Sequence, residues 1–152
     1  MGGEPSRAPR RFALVVSRYH DFVTDRLETG ARDALSAAGV PAGSVEVLHV
    51  PGAFEIPQVA RRAASTGRFA GIVCLGCLIR GETPHFDVIA GAVANGITEA
   101  AADSGVPITF GVLTTNTVEE ALARAAPGPA NKGFEAAAAV LDMADLLESM
   151  ER

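Results

Sequence analysis

The chain has 152 residues, enough for one domain that buries a core without disulfides or metals. Its net charge is −5 and its Lys and Arg are scattered, which excludes a nucleic-acid surface built on a basic stripe. Although 48% of the residues are hydrophobic, no run reaches the roughly 18 apolar residues of a membrane span, and MGGEPSRAPRR lacks the apolar centre of a signal peptide. A cytoplasmic protein with reduced cysteines is expected, its partners small molecules or copies of itself.

Residues 1–11 carry two prolines, two glycines and three arginines without periodicity, and are expected to form a flexible or extended arm ahead of a single α/β domain over 12–152. Phe12 to Ser17 reads as a buried strand. After the turn Arg18-Tyr19-His20-Asp21, apolar residues from Val23 to Ala38 recur at helical spacing until Gly39 and Pro41. Val45 to Val50 is a second strand, broken by Pro51-Gly52. The segment from Phe54 to about Thr66 is helical, with Pro57 tolerated in the first turn.

A third strand begins at Ile72. It leads through Gly76, Gly81 and the polar turn Arg80 to Thr83 into a third helix, which Thr83 caps, Pro84 opens, and Ser104-Gly105 stops. Val106 to Leu113 is a fourth strand, Thr114 to Asn116 a turn, and Thr117 to Glu120 a capping box for a short helix ended by Pro127-Gly128-Pro129. A last helix covers Gly133 to Met150. Strands and helices alternating in this way call for a three-layer α/β domain, a four-stranded parallel sheet flanked by helices.

In open parallel sheets, ligands settle beyond the carboxyl ends of the strands. Those exits carry Tyr19 and His20, then Gly52 to Glu55, then Cys77 to His85, then Phe110 to Asn116. Tyr19 and Phe54 offer flat apolar surfaces to a heterocycle, which counts in a chain only 5% aromatic. Glu55 can accept hydrogen bonds from hydroxyl groups. His20 is placed at the rim, and His49, inside a strand pattern, is structural.

Three motifs need weighing. Gly76 to Thr83 differs by one letter from a nucleotide-binding G-x-x-x-x-G-K-[ST] loop, but Glu82 stands where a lysine must neutralise phosphates, so only a single phosphate near Thr83 is expected. His85, expected with Asp87 in the first turn of the third helix, has the setting for proton transfer near neutral pH. Cys74-x-x-Cys77 cannot share a metal from one strand, because residues three apart face opposite sides.

Pro51 to Pro57 (PGAFEIP), Leu75 to Asp87 (LGCLIRGETPHFD), Phe110 to Thr115 (FGVLTT) and Asn131-Lys132-Gly133 together resemble the 6,7-dimethyl-8-ribityllumazine synthase family over roughly residues 12–150. The resemblance implies a flavodoxin-like fold. It also implies condensation of 5-amino-6-(D-ribitylamino)uracil with 3,4-dihydroxy-2-butanone 4-phosphate, in riboflavin biosynthesis, without metal or organic cofactor. Tyr19, Ala53, Phe54, Glu55, Cys77, Leu78, Ile79 and Phe110 match its pyrimidine-binding positions. Glu82, Thr83 and Arg124 match the butanone phosphate site and His85 the catalytic histidine, with His20, Gly81 and Lys132 beside them.

The family resemblance further implies a homo-oligomer, a pentamer, decamer or 60-subunit capsid with sites between subunits, and riboflavin synthase as a companion. Tyr19-His20 stands where Phe-Asn or Trp-Asn is common, and Ala126 to Ala130 replaces the usual Gly-Thr-Lys-Ala-Gly. Two further readings of the same residues are a scaffold that holds flavin or lumazine without turnover, and a flavodoxin-like electron carrier.

Overall fold

The computed structural model describes residues 9–82 and 84–151. Four strands, β1 (Phe12–Ser17), β2 (Val45–Val50), β3 (Gly71–Ile79) and β4 (Ile108–Thr115), form one sheet. The sheet has the order β2-β1-β3-β4, and every pairing in it is parallel. Five helices connect and cover it: α1 (Asp21–Ala37), α2 (Ile56–Ser65), α3 (Phe86–Ser104), α4 (Val118–Arg124) and α5 (Lys132–Met150).

Strand alternation divides the core in two. Phe12, Leu14, Val16, Val73, Leu75, Cys77 and Leu113 pack with α1, α4 and α5, whereas Ala13, Val15, Ile72, Cys74 and Val112 pack with α2 and α3. The two cysteines therefore lie on opposite faces, as their spacing requires. Both central strands are buried along nearly their whole length and, apart from Ser17 at the end of β1, carry no polar side chain, because both of their faces are covered.

Small residues set the layer spacing. A Cβ on Gly96 in α3 would fall 2.7 Å from Pro57 of α2, and one on Gly111 in β4 would fall 2.7 Å from Leu75 and 3.2 Å from Ala136 of α5. These positions let helix meet helix and helix meet sheet at close range.

Three boundaries depart from the expectations. β3 runs on to Ile79, so Gly76, expected in the passage out of the strand, lies inside it, while the polar turn starts at Arg80 as expected. β4 starts and ends two residues later than its composition suggests, because Leu78 and Ile79 of the long β3 pair with Thr114 and Thr115 and draw them into the sheet. Helix α3 begins at Phe86 with His85 in the cap position, so Pro84 precedes the helix and His85 stands outside its first turn. The expected cap Thr83 lies outside the described residues.

Of the arm expected over 1–11, residues 1–8 lie outside the described residues. Arg10 reaches Asp145 of α5 at 2.8 Å, and the Arg11 carbonyl accepts from the Ala70 N–H at 2.7 Å. Among the described residues, no helix is long and apolar enough to cross a membrane.

Candidate active site

The strand order reverses direction between β1 and β3, and an open α/β sheet has its natural crevice at that point. The Arg18 N–H donates to the Val50 carbonyl at 2.8 Å and the Tyr19 N–H to the Pro51 carbonyl at 3.1 Å. These bonds prolong the β1–β2 pairing past the strand ends, so the two exits leave side by side.

A cavity of about 240 Å³ opens there, lined by Tyr19, His20, Gly52, Ala53, Phe54, Glu55, Leu78, Ile79, Glu82 and Ile89. Eight of the expected site residues thus share one crevice, contributed by the first three strand exits, and α3 adds Ile89. Tyr19 and Phe54 are 58% and 61% exposed, an unusual state for aromatic side chains and one that leaves both rings open to a ligand.

The Tyr19 corner is built from local chemistry. His20 occupies the left-handed region at φ 63, which histidine tolerates better than most non-glycine residues. Its ring centroid lies 4.3 Å from that of Tyr19 and 5.7 Å from that of Phe22. Behind it the Thr24 hydroxyl donates to the Ser17 carbonyl at 2.8 Å, fastening the start of α1 to the end of β1.

Glu55 closes a single 3-10 turn, Ala53–Glu55, and holds the cap position of α2 without a side-chain capping bond. A Cβ on Gly52 would come 3.2 Å from Glu55 Oε1, so glycine there leaves the carboxylate its place against the backbone. Across the crevice, the turn after β3 is anchored by the Arg80 N–H donating to Thr115 O at 2.8 Å and the Glu82 N–H donating to Ile79 O at 3.2 Å. Gly81 in this turn adopts φ 91, a conformation open to glycine.

His85 is exposed at the head of α3, and its carbonyl accepts from the Ile89 N–H at 2.9 Å. It is flanked by two cavity-lining residues, Glu82 and Ile89, without lining the cavity itself. Cys77 is buried in the core on the α1 side. Burial pushes its thiol up to about 11, helped by the Glu82 carboxylate, and burial alone raises that of Cys74 to about 12. Both stay protonated and unreactive at neutral pH.

Phe110, Arg124 and Lys132 are not brought to this crevice within one chain. Phe110 is 46% exposed on the edge strand β4. Arg124 ends α4, and Lys132 opens α5 with its ammonium 3.0 Å from Glu135. Gly52, expected at the second strand exit, lines the cavity, and so does Ile89, which was not singled out; Ile89 precedes buried Val93 by one helical turn, which is the periodicity that points it inward. Among the described residues no three His, Cys, Asp or Glu side chains converge in a way that would hold a metal ion.

An apolar crevice over the strand ends of a parallel sheet, with two open aromatic rings and carboxylates at its edge, defines an α/β enzyme for a small cyclic substrate. The profile of the 6,7-dimethyl-8-ribityllumazine synthase family matches residues 9–148. The 6,7-dimethyl-8-ribityllumazine synthase of Syntrophus aciditrophicus (strain SB) is 47% identical over 140 residues, which cover 92% of this chain and 91% of that protein. The chain belongs to this family, and it is a transferase of riboflavin biosynthesis.

Proposed function

We propose that the crevice is the pyrimidine half of an active site where 5-amino-6-(D-ribitylamino)uracil condenses with 3,4-dihydroxy-2-butanone 4-phosphate to give 6,7-dimethyl-8-ribityllumazine, phosphate and water. The observation that carries this reading is the convergence of Tyr19, Phe54, Glu55, Leu78 and Ile79 on one cavity at the switch point of the sheet. The pyrimidine lies against the rings of Tyr19 and Phe54, with Ala53, Leu78 and Ile79 as its apolar walls. Cys77 supports the strand end from below, and Glu55 accepts hydrogen bonds from the ribityl hydroxyls. His20 borders the ring at its polar edge.

In this reading the turn of Gly81, Glu82 and Thr83, with Arg124, receives the phosphate of the second substrate. The 5-amino group attacks the ketone and expels one water to form a Schiff base, phosphate is eliminated, and the 6-ribitylamino nitrogen attacks the remaining carbonyl and closes the ring with loss of a second water. His85 moves protons in these steps. Much of the acceleration comes from holding two reactants in one geometry, which converts an encounter into an intramolecular step.

The cavity is small for two substrates, since ligand sites commonly enclose about 300–1,000 Å³. A second subunit therefore completes it, supplying Phe110 to the ring and placing Arg124 and Lys132 at the phosphate. The assembly is a pentamer, alone or in larger shells, and it works in the cytoplasm. Riboflavin synthase, which takes up the product, is a natural companion.

Mixing the purified protein with both substrates should generate lumazine absorbance and fluorescence, and His85→Ala should lower the rate about tenfold or more, leaving the proximity contribution in place. Absence of product above the uncatalysed background would contradict the reading. Tight flavin binding without turnover would favour a scaffold instead.

A further inference from the structure

The Arg80 side chain, in the turn after β3, reaches three residues on two other parts of the fold: Asn116 after β4, and Phe86 and Asp87 at the head of α3. Its Nε donates to Asn116 Oδ1 at 3.1 Å, just beyond the end of β4. One Nη lies 3.4 Å from Asp87 Oδ1 in the first turn of α3. The guanidinium Cζ also sits over the ring of buried Phe86, 4.6 Å from its centroid. Its backbone N–H meanwhile closes the pairing with Thr115.

As a stabilising pair, the contact with Asp87 counts for little, because both groups are more than half exposed. Its location gives it a different weight. Asp87 sits in the first turn of α3 and Glu82 in the turn that precedes the helix, so two carboxylates flank the helix head at which an anion would be received. Left alone, they oppose a phosphate that the helix end favours.

We propose that Arg80 is a positioning residue of the phosphate half of the site: it holds Asp87 in an ion pair, so that this carboxylate does not oppose the substrate phosphate, and it fixes the turn that leads to His85. The inference rests on the function proposed above. Planarity is essential to it, since a single guanidinium bonds Asn116, faces Asp87 and sits over Phe86 at once, which an ammonium cannot do. Arg80 acts through Asp87 and through the turn rather than by touching the phosphate.

The test is the Michaelis constant for each substrate in Arg80→Ala, Arg80→Lys and Arg80→Ala/Asp87→Asn, with calorimetric titration of inorganic phosphate into each protein. Arg80→Ala should raise KM for the butanone phosphate about tenfold and weaken inorganic phosphate to a similar degree, while KM for the pyrimidine stays within about twofold. Arg80→Lys should fall between. Removing the Asp87 charge in the alanine background should restore most of the loss.

No change in either phosphate readout, equal loss for both substrates, or failure of Asp87→Asn to restore phosphate affinity would overturn the inference. Arg80 is exposed, so the variants should fold. A wild-type protein that forms no lumazine would refute the functional reading, whereas the phosphate titrations judge the role of Arg80 without turnover.

Discussion

Gly30 of α1 faces the side chain of Asn131 so closely that a Cβ at position 30 would collide with the Asn131 carboxamide. The amide occupies the space a side chain would need. Its Oδ1 accepts from the Gly133 and Phe134 N–H groups at 2.8 and 3.1 Å, capping α5, and its Nδ2 donates to Ala125 O at 2.9 Å and Arg26 O at 3.2 Å. One buried side chain thus ties together α1, the end of α4 and the start of α5. Asn131→Ala should destabilise the protein by about 3 kcal/mol, from a lost cap plus buried groups left without partners. Gly30→Ala should cost at least as much, because α1 cannot move away without breaking its packing. Chemical denaturation at fixed protein concentration checks both, and a change below about 0.5 kcal/mol would show that the amide can be replaced by solvent.

Glu55 predicts a different profile. It holds the cap position of α2 without capping it, so Glu55→Gln should change stability by no more than about 0.5 kcal/mol. The same substitution replaces the carboxylate proposed to accept from the ribityl hydroxyls by a neutral amide, which should raise KM for the ribitylaminopyrimidine about tenfold. KM for the butanone phosphate should stay close to wild type. Steady-state kinetics with each substrate varied in turn will decide, and loss confined to the phosphate substrate would place Glu55 in the other half of the site.

How much of this was legible in the sequence depended on whether the signal was local. β1 and β2 match their apolar runs residue for residue, and the cap of α4 was readable because Thr117 and Glu120 interact within one turn: the Thr117 hydroxyl accepts from the Glu120 N–H at 3.1 Å, while the Glu120 carboxylate accepts from Asn116 N–H at 2.7 Å. The crevice was legible for a topological reason, since strand exits converge in any parallel sheet. The start of α3 was not. Thr83-Pro84 has the composition of a helix opening, yet the helix opens at Phe86, the residue that is buried beneath the Arg80 guanidinium, a contact set by tertiary packing. No local signal gave Arg80 a role beyond its place in the polar turn, because its partners Asn116 and Asp87 lie outside that turn.

The two thiols predict a dependence on pH. Burial raises Cys74 from 9.0 to about 12, and burial together with the Glu82 charge raises Cys77 from 9.0 to about 11. A raised value means that the folded state holds the proton more tightly than the unfolded chain. Stability from this source is therefore fully present below about pH 9 and declines as pH rises through 11 and then 12. Iodoacetamide at pH 8 should label neither cysteine in the native protein and both after unfolding in denaturant. Rapid labelling of native Cys77 would show that the end of β3 opens to solvent.

Phe110 carries the last expectation. It lies on the edge strand beside Val112, which is buried, yet it is itself 46% exposed, and it lines no part of the crevice of its own chain. If a neighbouring subunit receives it, Phe110→Ala should leave the fold intact, with less than about 1 kcal/mol lost from the isolated subunit. It should raise KM for the pyrimidine severalfold, since a ring against a heterocycle contributes about 1 kcal/mol beyond its area. Sedimentation velocity of the wild type should give a species several times the 15.6 kDa of one chain. A catalytically active species of one chain mass would contradict a shared site, because Phe110 could then complete no pocket.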